Sequence, residues 1–304
     1  MKRRQFIQTI LATSGVLITP NLLASKTSNS INTKIIPSTG EALPVIGLGS
    51  FVNFNFPNDA GTITQRTQLV DKFFDMGGKL IDSSPMYGSA EKNLGLTIKP
   101  QLSKDSLFSA TKVWTSSVDA GANEIEASRD LWQVDRFDLL QVHNLLSWQG
   151  HLETLLEMKQ KKQLRYVGVT TSHGRRHGDL ENIMLTQPID FVQATYNVKD
   201  REIEQRILPI AKERGIAFIA NRPFQRGSLV DWAKKHPLPG LAKDLQCDNW
   251  ASLLLKYIVS HPAVTCAIPA TTRMDHLIEN MSALLGPLPD EAMRINIQKL
   301  IAKL

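Results

Sequence analysis

The strongest constraint on this 304-residue chain is a rhythm. Eight short β-rich runs, at 45–49, 79–83, 107–113, 139–143, 166–170, 191–196, 217–221 and 264–269, alternate with longer stretches. In those stretches, such as 64–76, 118–132, 151–161 and 200–214, apolar residues recur every three or four positions, the spacing of an amphipathic helix. Strands that are almost continuously apolar are buried on both faces, and strands separated by single helices pair in parallel through right-handed crossovers. Eight such units in about 270 residues predict an α/β fold, a single-domain (β/α)8 TIM barrel over 34–304. The competing architecture, an open doubly wound sheet, needs Gly47-Leu48-Gly49 to begin a dinucleotide fingerprint. Ser50, Phe51 and Val52 follow, with no third glycine. Residues 34–43, turning at Ser38, Thr39 and Gly40, read as a small hairpin before the first barrel strand.

The first thirty residues stand apart. Lys2, Arg3, Arg4, Gln5, Phe6 and Ile7 open a weakly apolar run, diluted by Thr9, Thr13, Ser14 and Thr19, that reaches Pro20 and Ala24. Paired arginines, a large apolar residue and a small residue near the end of the run resemble a bacterial twin-arginine export signal. Residues 1–30 are therefore expected to be signal peptide and linker, with the twin-arginine export machinery as partner and the periplasm as destination. No stable membrane span is expected from a run this polar that also contains Pro20. The leader also accounts for the charge. The chain has 35 Lys and Arg against 29 Asp and Glu, a net +6 that points to nucleic acid or an anionic surface. Lys2, Arg3 and Arg4 are the only charged residues before Lys26, so 32 basic residues face 29 acidic ones without the leader. Half the excess belongs to the address, and nucleic acid is not an expected partner. Two cysteines, Cys247 and Cys266, make neither a disulfide framework nor a four-cysteine zinc site.

In such a barrel the chemistry sits at the carboxyl ends of the strands. Asp82, Lys112 and His143 end the second, third and fourth predicted strands, and Tyr87 follows Asp82 across a turn at Pro85 and Gly88. Neighbouring parallel strands lie about 4.8 Å apart, so these side chains can converge. Singly each has an ordinary reading: a helix cap, a buried lysine stem, a hydrogen-bonded core histidine. Together those readings require coincidences at four positions. A phenol titrates near pH 10 and a nearby ammonium lowers that value. Asp82 would hold Lys112, and His143 would bind a carbonyl oxygen. No side chain donates hydride, so this chemistry calls for a nicotinamide or flavin cofactor.

Three segments carry a resemblance: Ile81-Asp82-Ser83-Ser84-Pro85-Met86-Tyr87-Gly88-Ser89-Ala90-Glu91, Ala110-Thr111-Lys112-Val113-Trp114 and Leu139-Leu140-Gln141-Val142-His143-Asn144. In this order they resemble the aldo-keto reductases, through essentially the whole chain after the leader. The resemblance implies a catalytic tetrad of Asp82, Tyr87, Lys112 and His143, with Tyr87 as proton donor in reduction. Ser83 and Ser84 stand where the family often has Thr and Ala.

The resemblance also implies a site for NADP(H), with NAD(H) as the alternative. Gln193 would bond the carboxamide and Tyr196 would stack on the nicotinamide. Thr170 and Thr171 fall where the family commonly places Ser and Asn on the same carboxamide. Pro223, Phe224, Gln225, Arg226, Gly227 and Leu229 resemble the loop that closes over the pyrophosphate, where amides and a guanidinium suit the charge. Thr271 and Thr272, read as the first turn of a helix, offer amides and hydroxyls to a phosphate. Arg273 suits a ribose 2′-phosphate, and Glu279 and Asn280 the adenine. Ala270 replaces a lysine that many members use beside that phosphate.

Phe51, Phe54, Phe56, Trp114 and Trp148 lie in loops after predicted strands, and an aromatic rim there favours an apolar or aromatic aldehyde or ketone. His173 and His177 have metal-pair spacing without an evident third ligand, so no metal is expected. Two other functions fit parts of the pattern: a nicotinamide-binding, redox-sensing partner protein with incidental turnover, and a barrel hydrolase using Asp82 and Glu91 as its acid pair. The hydrolase leaves Lys112 and Arg273 without a role.

Overall fold

The computed structural model describes residues 30–98 and 106–304, so the expected leader lies outside the described residues apart from Ser30. An antiparallel hairpin of β1 (Thr33–Ile35) and β2 (Ala42–Pro44) comes first. Eight parallel strands follow: β3 (Leu48–Gly49), β4 (Leu80–Asp82), β5 (Phe108–Val113), β6 (Leu139–Val142), β7 (Tyr166–Thr170), β8 (Phe191–Thr195), β9 (Ala217–Asn221) and β10 (Val264–Ala267). Each pairs with the next along the chain. The sheet closes on itself where Gly47 N–H donates to the Ala267 carbonyl and Ala267 N–H to that of Val45, both at 2.9 Å. Helices α1 (Ala60–Asp75), α2 (Ala90–Thr97), α3 (Val118–Trp132), α4 (Trp148–Gln160), α5 (His177–Thr186) and α6 (Ile207–Arg214) follow successive strands. Between β9 and β10 lie α7 (Ser228–Ala233), α8 (Leu241–Asp244) and α9 (Trp250–Ser260), and α10 (Met274–Met281) and α11 (Glu291–Lys303) end the chain. This is the (β/α)8 barrel expected from the rhythm, with its preceding hairpin.

The strand pleat explains why the runs are apolar throughout. Alternate residues point to opposite faces. Leu80, Phe108, Leu139, Tyr166, Phe191, Ala217 and Cys266 form an inner cluster with Ile36 and Leu43 of the hairpin segment. The intervening residues Ile81, Val113, Leu140, Val167, Val192 and Phe218 join the core beneath the helices. The hairpin covers the amino-terminal mouth: Tyr166 Oη donates to Glu41 at 2.6 Å, and Lys34 Nζ donates to the carbonyls of His261 and Val264 at 2.6 and 2.7 Å. Helix starts follow capping chemistry, with Asp59 accepting from Thr62 N–H and Ser117 from Ala120 N–H. One element differs from expectation. The stretch 200–214 is a 3₁₀ turn at Glu202–Glu204 and a separate α6, because Arg206 is non-helical and Glu204 is held back by Tyr196 and Arg294.

Candidate active site

The inward parity that packs the lower barrel also brings Asp82, Lys112, Gln141, His143, Gln193 and Asn221 to its carboxyl end. Lys112 and Gln141 are register partners. Lys112 Nζ donates to Asp82 Oδ2 and to the Ser83 carbonyl, each at 2.6 Å. The other carboxylate oxygen of Asp82 accepts from Gln141 Nε2 at 3.1 Å and Gln193 Nε2 at 3.0 Å. Lys112 and Asp82 are 1% and 2% exposed, so this pair sits out of water. Burial pushes the Lys112 ammonium down, but Asp82 and Tyr87 together carry it above its ordinary value.

Tyr87 stands on a 3₁₀ turn, Pro85–Tyr87, capped by Ser84, whose hydroxyl accepts from Met86 N–H. Gly88 leaves the turn at φ +64°, and a Cβ there would meet Asn55 Oδ1 at 2.7 Å, so glycine is required. The Tyr87 ring lies edge-on to His143, with centroids 5.7 Å apart, and to Phe51 at 5.0 Å. Lys112 Nζ is 5.1 Å from its centroid. Burial raises the phenol above its usual range and outweighs the lowering by Lys112, so the net direction is opposite to the one expected from the ammonium alone. The Tyr87 phenol therefore keeps its proton at neutral pH. His143 is buried beside Lys112, and burial first, then that charge, push its pKa down to about 2. It is neutral at physiological pH, with Nδ1 2.8 Å from Ser84 Oγ.

A cavity of about 700 Å³ opens at this end of the barrel. Asp82, Tyr87, His143 and Phe51 line it with Thr170, Thr171 and Gln193. Pro223, Phe224, Arg226 and Gly227 form one wall, and Thr271, Thr272, Arg273, Glu279 and Asn280 another. Arg226 lies over Phe51, its guanidinium carbon 5.0 Å from the ring centroid. Arg273 is exposed and grips Asp275 through both nitrogens of one edge. Among the described residues, Thr171 Oγ1 is the buried side-chain polar atom with no hydrogen-bond partner, on a residue that borders this cavity. An unmatched hydroxyl there fits a ligand amide such as a nicotinamide carboxamide. Gln193 fits less freely, because its Nε2 is already shared between Asp82 and Gln141.

Several expected site residues lie elsewhere. Tyr196 is fully buried outside the barrel wall, against Tyr257 and His261, with Oη donating to Glu204 at 2.5 Å. Three positions from inward-facing Gln193, it necessarily takes the opposite face. Asn221 lines the cavity instead, tied to the Thr171 carbonyl and to Thr195 Oγ1. Phe54 is a core residue, whereas Phe56 stands under the Arg66 guanidinium. Trp114 is exposed and Trp148 opens α4, packed against the helix layer; neither lines the cavity. Gln225 turns its amide to Asp200 at 2.8 Å, and Leu229 is in the core. Thr271 and Thr272 precede α10, whose cap is Arg273; Arg66, donating to the Thr272 carbonyl at 3.0 Å, holds that loop. Ser84 and Gln141 were recoverable only as polar residues at a turn and in an otherwise apolar strand, and Arg66, inside a polar stretch of α1, carried no such signal.

Glu91 belongs to a different environment from Asp82. It lies behind the sheet, where Thr111 Oγ1, Ser128 Oγ and Trp132 Nε1 donate to it at 2.5, 2.8 and 3.1 Å. Thr111 faces outward from the strand that sends Lys112 inward, so Asp82 and Glu91 are on opposite sides of the wall and form no acid pair. Burial raises the Glu91 pKa despite these three donors. Glu91→Leu should cost about 2–4 kcal/mol by orphaning buried donors, measured by urea unfolding. Turnover per folded molecule should be unchanged.

The aldo/keto reductase family model matches residues 45–301. The chain belongs to the aldo/keto reductase family. Among curated relatives, the aldo-keto reductase YhdN of Bacillus subtilis is 27% identical over 210 residues, 64% of this chain and 62% of that protein. The match therefore spans somewhat less than two thirds of that relative. The NADH-specific methylglyoxal reductase of Escherichia coli is 24% identical over 86% of this chain and 91% of its own length. An aldo-keto reductase from Klebsiella pneumoniae, solved in complex with NADPH, shares the fold at a TM-score of 0.73 and 22% identity, covering 89% of this chain and 95% of that one.

Proposed function

We propose that this aldo/keto reductase family member is an NADP(H)-dependent oxidoreductase that reduces an aldehyde or ketone to an alcohol. The observation that carries the reading is the convergence of Tyr87, His143 and the Lys112–Asp82 pair at the floor of one cavity. A reduced nicotinamide, when bound in that cavity, would supply the hydride. The chain's own residues do the rest. His143, neutral, binds the carbonyl oxygen and orients it. Tyr87 Oη delivers the proton to that oxygen, and the Lys112 ammonium stabilises the phenolate left behind. Asp82, fixed by Gln141 and Gln193, holds Lys112 charged and in place. Thr171 Oγ1, without a partner in the protein, is the candidate bond to the carboxamide, and the Pro223–Gly227 wall and Arg273 suit the phosphates. Phe51 and Phe224 make the floor and wall apolar, which favours an apolar or aromatic carbonyl.

The Klebsiella structure holds NADPH whereas the E. coli relative is named for NADH, so the choice rests on this chain's own cations. Arg273 must exchange its Asp275 partner for a 2′-phosphate. Arg273→Ala should weaken NADPH binding about tenfold, the loss of one charge-assisted contact, and leave NADH binding nearly unchanged in fluorescence titration. Equal losses would remove the preference. The function is tested with purified protein, NADPH and 4-nitrobenzaldehyde, following loss of reduced-nicotinamide absorbance. Tight NADPH binding without consumption would favour the redox-sensing alternative.

Residues 1–30 are proposed to export the folded enzyme to the periplasm through the twin-arginine machinery, with cofactor loaded beforehand. Among the described residues no helix is long and apolar enough to cross a membrane. A reporter fused to residues 1–30 should leave the cytoplasm, and replacing both Arg3 and Arg4 with lysine should retain it inside.

A further inference from the structure

Ser84 has neighbours that together limit what its hydroxyl can do. Its backbone is extended, at the entry to the 3₁₀ turn that ends in Tyr87, and its carbonyl accepts from Tyr87 N–H at 2.9 Å. Its Oγ accepts from Met86 N–H at 3.2 Å and lies 2.8 Å from His143 Nδ1, with Ser84 at 0% and His143 at 5% exposure. A hydroxyl has one proton and two lone pairs. The Met86 amide takes one lone pair. If Nδ1 carried a proton and donated to the second, the hydroxyl proton would need another acceptor, and among the described residues none is bonded to it. A buried donor without a partner is costly, whereas donation from Oγ–H to Nδ1 satisfies every group. A neutral imidazole then carries its single proton on Nε2, the ring nitrogen remote from Ser84, on a side chain that lines the cavity.

We propose that Ser84 is a positioning residue that locks His143 in the Nε2–H tautomer, so that the ring presents a donor to a substrate carbonyl while the same hydroxyl anchors the turn bearing Tyr87. The consequence for catalysis rests on the reductase reading; the tautomer does not. One residue thus ties the hydrogen-bond donor to the proton donor, two groups that come from different strands.

The test is long-range proton–nitrogen NMR on protein labelled with ¹⁵N-histidine, with His143→Asn used for assignment, in wild type and Ser84→Ala. Alanine removes one atom from a buried site, and thermal unfolding checks that the variant is folded. In wild type, Nδ1 should resonate as an unprotonated, hydrogen-bonded nitrogen and Nε2 as a protonated one, unchanged from about pH 5 to about pH 8. In Ser84→Ala both resonances should move toward each other as the second tautomer gains population. The kcat for 4-nitrobenzaldehyde should fall about five- to tenfold, the effect of one neutral hydrogen bond, with the KM for NADPH unchanged. A protonated Nδ1 in wild type, or ring nitrogens unmoved in Ser84→Ala, would overturn the proposal. Wild-type spectra of the Nε2–H form without any carbonyl turnover would support the tautomer and count against the reductase reading.

Discussion

Tyr87→Phe should reduce carbonyl turnover by between about 10²- and 10⁴-fold, the range over which positioned proton transfer contributes, with little change in NADPH affinity or stability. Only the hydroxyl is lost: the ring keeps its edge contacts with Phe51 and His143. The same group sets the pH dependence. Burial holds the Tyr87 pKa above its usual value, so the protonated form needed for reduction is present throughout the neutral range. Reduction should be flat there and decline only as pH rises through that raised value. Oxidation of the alcohol needs the phenolate and should increase with pH toward the same limit. His143 adds no limb near neutrality, because it stays uncharged down to far below its ordinary pKa. A Tyr87→Phe enzyme that retains wild-type kcat would remove the proton donor from the scheme.

Lys112→Met should cost both stability and activity, and the two losses are separable. Removing the ammonium leaves the Asp82 carboxylate buried with two amide donors and no countercharge. Breaking one side of a buried pair typically costs about 3–5 kcal/mol. The phenol also loses the one neighbour that favours its anion, so kcat should fall on the order of 10²-fold or more, and the alkaline limb of alcohol oxidation should move to higher pH. The double variant Lys112→Met with Asp82→Leu removes both charges and should recover most of the lost stability, while activity stays low. Urea unfolding of the two single variants and the double variant measures the coupling. Additive losses would mean that the pair is not energetically linked. Restored activity in the double variant would mean that neither charge serves the reaction.

Much of the architecture was legible because both faces of each strand are apolar, for different reasons: one face fills the barrel, the other receives the helices. That produces continuous runs such as Phe108–Val113, in which Lys112 is conspicuous. Asp82, Lys112 and His143 were legible as ionisable residues ending apolar strands, and Tyr87 by its turn. The partners that hold them were not. Gln141 meets Asp82 because β5, the strand between them, sets its height and inward direction, and Ser84 meets His143 across a distance of 59 positions in sequence. Spacing along one strand does not encode either contact. Tyr196 shows the opposite case, since the two-residue period alone separates it from Gln193 and sends its ring to the Glu204 and Arg294 cluster. The loop before α10 was misread because Thr271 and Thr272 look like a helix start, whereas the helix begins only after Arg273, on a loop pinned by Arg66.

In the proposed reaction, a carbonyl bound at the barrel's inner polar layer is reduced with Tyr87 as acid. Incubating the purified protein with NADPH and 4-nitrobenzaldehyde and quantifying both nucleotide and organic product tests it most directly. One alcohol should form for each NADPH oxidised, at a rate that collapses in Tyr87→Phe while NADPH binding persists. Nucleotide bound without alcohol formed, or alcohol formed equally fast by Tyr87→Phe, would contradict it.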